Sequence, residues 1–396
     1  MTRGRQRRPR RRVPRGESRV GQRFEALVGP VAHGGHCIVR LPEPESRVVF
    51  TRHAVPGERV VLEITEGTDG DRFWRGDAVE VLEASPDRVD APCPVAGPGL
   101  CGGCDFQHVA VPAQRSLKAA VVREQLVRLA HLDPDHPLVA DLVVEQVPGD
   151  VDGLRWRTRT RFVRTPDGRQ GLRKHRSHDV VPVEDCLITL RHRSSDDVPV
   201  PATRTVVAAG TSHDFGIADD GFWQVHPGAP TALVETVLEL LDPQPGESVL
   251  DLYAGVGLFA RFLGDRVGED ARIVAVEGDR EATRHARLNL AGFGRARAQA
   301  GSVDQVLETS FDEPFDLVVL DPPREGARAG VVAQVVDRAP RAVAYVACDP
   351  AALARDVASF AGHGYRLEAL RAFDLFPMTH HVECVALFTR TGPDLR

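Results

Sequence analysis

The sequence predicts an α/β protein in which a doubly wound, mostly parallel sheet follows a small N-terminal β-barrel and a mixed central segment. Three observations predict it. Beyond residue 226 the apolar runs SVLDLYAG, RIVAVEGD, FDLVVLDPP and RAVAYVACDP alternate with helical stretches, which is the signature of a parallel sheet covered by helices. Between about 17 and 85 the runs are short, strand-like and broken by Gly and Pro, in a number that suits a five-stranded barrel. Hydrophobic residues make up 42% of 396, enough for two or three domain cores, yet no run of about 18 apolar residues suggests a membrane span.

Taken in order, residues 1–16 form a basic arm with eight arginines and no acid. An RNA-phosphate contact and a solubilising extension explain it equally well. The rest of the chain has 42 bases against 56 acids. Almost every base is arginine; Lys118 and Lys174 are the two lysines. No apolar stretch follows the arm as in a secretory signal. Seven cysteines in so long a chain do not suggest a disulfide framework, so a reducing cytoplasm is expected.

Residues 17–85 read as the barrel, with RFEALVGPVAHGGHCIVRL, RVVFTRHAVPGERVVLEITEG and FWRGDAVEVLEAS as its strands. Residues 86–225 read as a central domain. It contains the helical stretch VPAQRSLKAAVVREQLVRLA and then LRWRTRTRFVRT, where Arg155, Arg157, Arg159 and Arg161 alternate with Leu154, Trp156, Thr158 and Thr160. A period of two predicts a strand with four arginines on one face. Repulsion among them favours an RNA backbone as partner over acids such as Glu184 and Asp185. Residues 226–396 read as the doubly wound domain. Its last two runs, YRLEALRAFDLFP and VECVALFTR, are joined too closely for a crossover and should pair antiparallel.

The first turn of that domain is DLYAGVGLF, a D-x-x-x-G-x-G loop in which Gly255 and Gly257 allow close approach of backbone. Glu277 ends the next strand, 22 residues after Gly255, where an acid can hold the two hydroxyls of a ribose. The spacing suits S-adenosylmethionine better than a dinucleotide. Asp321 ends a further strand and is followed by Pro322 and Pro323, which stiffen the loop.

Cys348 ends the strand of YVACDP just before a helix. A helix N-terminus lowers a thiol pKa, and the strand-end edge is where open α/β sheets bind ligands, so Cys348 is expected to be a nucleophile. Glu383 begins the final strand, where apolar neighbours would raise its pKa and suit it to act as a base. Cys384 and Cys37 are expected to be core. Cys93, Cys101 and Cys104 form C-x7-C-x2-C, and Cys186 lies 82 residues after Cys104. Four thiolates can bind zinc or an iron–sulfur cluster, and spacing alone does not choose.

The segments FWQVHPGAP, LDLYAGVGLF, VLDPPREG, YVACDPAALARD and DLFPMTHHVE, in this order, resemble the uracil-5 RNA methyltransferase family. The resemblance covers residues 86–396, and the barrel looks like a TRAM domain, an RNA-binding module. It implies a class I methyltransferase fold and transfer of methyl from S-adenosylmethionine to carbon 5 of a uridine. Cys348 would be the nucleophile and Glu383 the base. Gln224, Tyr253, Gly255, Glu277 and Asp321 would contact S-adenosylmethionine. Cys93, Cys101, Cys104 and Cys186 would hold a 4Fe–4S cluster. RNA would be the partner, rRNA favoured over tRNA, with no obligate protein partner. The sequence departs from the family pattern at Ala254, Leu258 and Ala347. Two other classes compete: an amino-group methyltransferase, which would need an aromatic where Arg324 follows the prolines, and a non-catalytic RNA-binding factor, which would not need Cys348 paired with Glu383.

Overall fold

The computed structural model describes residues 16–165, 167–190, 203–219 and 221–391; apart from Gly16, the basic arm lies outside them. The chain divides into two compact units. One runs to Ala110 and includes Arg173–Asp179; the other comprises Val111–Leu172 and continues from Val180.

The first unit is built on a closed five-stranded barrel of β1 (Arg23–Ala32), β2 (His36–Arg40), β3 (Val48–Arg52), β4 (Arg59–Glu66) and β5 (Phe73–Glu83), in the order β1-β2-β3-β5-β4. Strict alternation in the sequence does this. Along β2 and β3 the residues Cys37, Val39, Val49 and Thr51 point inward and are buried. Closure removes the open edges that a five-stranded sheet would otherwise expose. Cys37 sits in this core, as anticipated.

The second unit begins with α1 (Val111–Leu129), a four-residue turn of helix α2 (Pro137–Ala140) and β6 (Val144–Gln146). Small antiparallel pieces follow: β7 (Val163–Arg164), β8 (Gln170–Arg173) and β9 (Val180–Pro182), then the hairpin of β10 (Thr203–Ala208) and β11 (Thr211–Gly216). The alternating part then runs α3 (Ala229–Leu241), β12 (Val249–Leu252), α4 (Leu258–Val267), β13 (Ile273–Glu277), α5 (Arg280–Asn289), β14 (Ala296–Ala300), α6 (Val303–Thr309), β15 (Leu317–Leu320), α7 (Arg328–Asp337), β16 (Ala342–Ala347), α8 (Pro350–Gly362), β17 (Tyr365–Asp374) and β18 (Glu383–Arg390). These form one eight-stranded sheet, in the order β14-β13-β12-β15-β16-β18-β17-β6. Strands β12 to β16 are parallel, and β18 runs antiparallel to both neighbours. β12, β15 and β16 are buried along their whole length, the continuous apolar run of a strand covered on both faces. The order reverses between β12 and β15, so the loops after these strands diverge and leave a crevice at the carboxyl edge.

The predicted arginine strand is not a strand. Leu154–Arg161 is irregular, and Arg155 takes a left-handed φ of 56°, which breaks the period of two. Its guanidinium forms a two-pronged pair with Asp185, both bonds 2.5 Å long, and also donates to the carbonyls of Cys186 and Thr189. Arg157 donates to the carbonyl of Arg159, and Arg159 to that of Gly221. A fork matched to a carboxylate and to backbone oxygens satisfies the Arg155 guanidinium without RNA, so for Arg155 the acid partner named as the alternative is found, whereas Arg157 and Arg159 donate to backbone carbonyls.

One buried network fixes the loop after β15. Asp356 of α8 accepts bonds at a single oxygen from the Tyr345 hydroxyl (2.5 Å), Ala327 N–H (2.8 Å) and Arg328 N–H (3.3 Å). A side chain at Gly326 would meet that oxygen at 2.7 Å. Asp356→Ala removes the acceptor of the buried Tyr345 hydroxyl and leaves the Ala327 N–H only its 2.9 Å bond to that hydroxyl, and urea unfolding is expected to show a loss of roughly 1 to 3 kcal/mol; a loss near zero would mean the loop is held by something else.

Candidate functional site

The site is assembled at the carboxyl edge of the sheet, where register fixes which residues meet. Leu252 is level with both Val276 and Leu320, so Tyr253, Glu277 and Asp321 emerge side by side from β12, β13 and β15. On the other flank Ala347 pairs with Cys384. Continuing that antiparallel register by one residue sets Cys348 across from Glu383.

The loop after β12 is held from two directions. Asp251, fully buried, accepts the Ala260 N–H at 3.0 Å from inside α4. Glu277 accepts the Gly255 N–H at 2.8 Å with one oxygen and the Asp279 N–H at 2.7 Å with the other. Tyr253, Gly255 and Gly257 have φ of 62°, 55° and 84°. Left-handed tyrosine is uncommon, and such outliers gather where the surrounding structure over-determines them. A Cβ at Gly255 would meet nothing within 4 Å, so glycine is required there by its φ, and the expected close backbone approach is not the reason. The open space beside it, next to a row of acids, is a cradle fit for a nucleoside bearing a positive charge. Gln224 lies half-buried in the segment between β11 and α3; the carbonyl of its neighbour Val225 accepts both the N–H and the hydroxyl of Thr158, at 2.9 and 3.0 Å.

The electrostatics are those of crowded acids in a dry place. Burial pushes Asp251 up to about 8, helped by Asp321 and Glu277. Burial, then Glu277, pushes Asp321 up to about 7. Glu383 is 4% exposed, and burial followed by Asp321 raises it well above the usual carboxylate range, the direction the sequence predicts. Cys348 corrects the sequence reading. It does precede the N-cap of α8, where Asp349 accepts the Ala352 N–H at 2.8 Å. Yet its thiol is pushed up to about 12, by burial first and then by Glu383 and Asp321, with Arg324 opposing. The helix terminus is outweighed by burial first, and then by Glu383 and Asp321, with a smaller addition from the capping carboxylate of Asp349. Cys384 is fully buried in the core, as anticipated.

Sequence reasoning passed over Asp251, although it is the first letter of the D-x-x-x-G-x-G motif, and Asp349, whose capping role the D-P pair before a helix could have signalled. Arg324 and His381, 3.4 Å apart, carry no local signature.

Cys37, Cys186, Cys348 and Cys384 are free thiols. Cys93, Cys101 and Cys104 belong to the first unit and Cys186 to the second. Gln107 draws two of them to one side chain: its carbonyl accepts the Cys93 N–H at 3.1 Å, and its amide donates to Cys104 Sγ at 3.3 Å. A side chain at Gly102 would meet the His175 backbone at 2.5 Å. Among the described residues no group of three or more His, Cys, Asp or Glu is placed to hold a metal ion, and no helix is long and apolar enough to cross a membrane.

The sheet, its crevice and the acids at the strand ends define a nucleoside-binding methyltransferase of the α/β type. The solved structure of the tRNA (uracil-54, C5)-methyltransferase of Pyrococcus abyssi, in complex with S-adenosyl-L-homocysteine, shares this fold with a TM-score of 0.66 at 20% identity, over 92% of this chain and 100% of that one. Residues 203–391 match the tRNA (Uracil-5-)-methyltransferase family and residues 17–79 the TRAM domain. An uncharacterized RNA methyltransferase of Streptomyces coelicolor is 45% identical over 93% of both chains. The 23S rRNA (uracil(1939)-C(5))-methyltransferase RlmD of Alkalilimnicola ehrlichii is 30% identical over 98% of this chain and 100% of its own. The chain belongs to the RNA (uracil-5-)-methyltransferase family, enzymes that draw their methyl group from S-adenosylmethionine.

The thiol gives a test of the electrostatics. With its pKa raised to about 12, Cys348 should be alkylated slowly near neutrality, at a rate still climbing with pH beyond about 9, where an ordinary thiol has levelled off. Asp321→Asn removes a negative neighbour and should move the climb to lower pH. Iodoacetamide labelling of the Cys348 peptide measures both; a plateau at or below about pH 8.5 would contradict the raised thiol.

Proposed function

We propose that the protein methylates carbon 5 of a specific uridine in RNA through a covalent adduct on Cys348, with Glu383 as the base and rRNA as the favoured substrate class. The observation that carries this is the strand register that sets Cys348 across from Glu383 beside Asp321. Carbon 5 of uracil is a weak nucleophile until carbon 6 is saturated. On this reading Cys348 passes its proton to water and its sulfur bonds to carbon 6, which turns carbon 5 into an enolate carbon. Carbon 5 takes the methyl group of S-adenosylmethionine. Glu383 then removes the carbon 5 proton, and the carbon 6–sulfur bond breaks to release the thiolate and 5-methyluridine. The uridine must leave its stack to enter such a site.

Tyr253, Gly255, Glu277, Asp321 and Gln224 are proposed to bind S-adenosylmethionine, Glu277 through the ribose. Its sulfonium adds a positive charge where Asp321, Glu383 and the thiol crowd together, and that favours their ionised, reactive forms. Support for rRNA comes from the similarity to the RlmD relative.

The four cysteines Cys93, Cys101, Cys104 and Cys186 are proposed to bind a 4Fe–4S cluster. Support is their spacing and the Gln107 amide directed at Cys104; the described residues do not present a preassembled ligand set. Methyl transfer needs no electron, so no step passes through it. Anaerobically purified protein should contain iron and sulfide and absorb broadly in the blue. Zinc without iron would refute the assignment.

The covalent route separates the two catalytic groups. Cys348→Ala should bind RNA and S-adenosylmethionine, form no adduct and lose methylation. Glu383→Gln should attack and transfer methyl, then stall, leaving an S-adenosylmethionine-dependent band of slower mobility on a denaturing gel. Wild-type protein should be trapped on RNA containing 5-fluorouridine, since fluorine does not leave as a cation. Turnover without trapping would instead favour amino-group methylation.

A further inference from the structure

We propose that Gln114 and Lys118 of α1 are positioning residues for Glu383: together they lock the strained loop that carries this carboxylate to Cys348. The inference rests on the reading of Glu383 as the base.

The loop runs from the end of β17 at Asp374 to the start of β18 at Glu383. Gln114 and Lys118 are one helical turn apart, so they share a face of α1, and both are fully buried. Lys118 Nζ donates to Asp374 Oδ1 at 2.5 Å and to the Phe376 carbonyl at 3.0 Å. Gln114 accepts the Met378 N–H at 2.8 Å and donates to Met378 Sδ at 3.3 Å. These bonds thus grip the first, third and fifth residues of the segment.

The grip falls where the backbone resists it. Met378 has a φ of 65°, a left-handed conformation that is strained for a residue with a side chain and persists only where contacts over-determine it. Gly153 makes room for the strained turn, since a side chain there would meet Met378 Cε at 3.0 Å and Pro377 Cβ at 3.1 Å. Four residues separate Met378 from Glu383. If Met378 relaxes to the right-handed region, the chain that follows must swing, and Glu383 with it. The chemistry of the grip fits too. Lys118 is one of two lysines among 50 basic residues. The Asp374 carboxylate and the Phe376 carbonyl lie close around its ammonium, a compact point charge that a planar guanidinium would not replace without moving them.

Removing a carbon-bound proton depends on alignment, so a displaced base slows elimination while the thiol, on a different strand, still attacks. Gln114→Met keeps the volume and deletes both bonds to Met378. Single-turnover assays with S-adenosylmethionine and substrate RNA should show methyl incorporation within about twofold of wild type and elimination slowed at least tenfold, so that the adduct accumulates as in Glu383→Gln. Gln114→Glu, whose protonated carboxyl reproduces the acceptor and a donor, should restore elimination. Should Gln114→Met fold poorly, the double variant Lys118→Met with Asp374→Asn removes the other half of the grip without leaving a lone buried charge, and the same accumulation is expected. A parallel fall in both half-reactions, or an unchanged partition, would overturn the proposal. An adduct in Glu383→Gln with none in the α1 variants refutes the positioning role alone. No adduct in Glu383→Gln removes the covalent reading, and this inference with it.

Discussion

The pairing of β16 with β18 is the constraint on which the site depends. A purely parallel sheet would place the carboxyl ends of neighbouring strands side by side and the amino ends on the far edge. By running β18 antiparallel between β16 and β17, the fold brings the start of one strand to the finish of another. Cys348 leaves β16 at the point where Glu383 enters β18. Everything else accommodates that meeting: Asp349 caps α8 and turns the chain away, the Asp356–Tyr345 network holds the loop after Asp321, and the 374–382 segment returns the chain to the correct edge.

Bringing these groups together is unfavourable in the absence of a ligand. Burial raises all three carboxyls; Asp321 adds to the rise of Glu383 and Asp251, and Glu277 to that of Asp321 and Asp251. Burial, then Glu383 and Asp321, raises the thiol of Cys348 as well. Groups whose folded pKa is raised stabilise the protein below their unfolded pKa and lose that contribution as pH rises through the folded value. For Asp251 and Asp321 that window runs from the ordinary aspartate value to about 8 and about 7 respectively.

The doubly wound sheet and the barrel were legible because burial on both faces, or strict alternation, is written one residue at a time: LVVL and AVAYVA can only be interior strands, while Val39 and Val49 alternate with outward neighbours. The antiparallel final pair followed from the short link between two apolar runs. The arginine stripe misled because alternation in LRWRTRTR is local, whereas Asp185, which holds Arg155, lies 30 residues on, and a single left-handed residue cancels the period. The thiol pKa misled for a related reason. Helix ends are visible in sequence, but the acids that outweigh one come from β15 and β18, and only the fold brings them near. Gln114 and Lys118 lie 264 and 256 residues before Met378 and Asp374, and no pattern within α1 distinguishes them from other buried positions.

On the proposed reading, the same crowding gives the reaction its direction. A sulfonium approaching Asp321 and Glu277 supplies the positive charge that the acids lack, so binding a cationic methyl donor and ionising the thiol assist each other; linkage makes the assistance mutual. Transfer of the methyl group erases that charge, because the thioether left behind is neutral. The carboxyls then regain their preference for protons at the moment Glu383 must take one from carbon 5 of the substrate. A buried carboxylate ionised while the sulfonium is beside it becomes strongly basic once that charge is gone. That serves a group whose task comes last, provided the loop that carries it does not move while it waits.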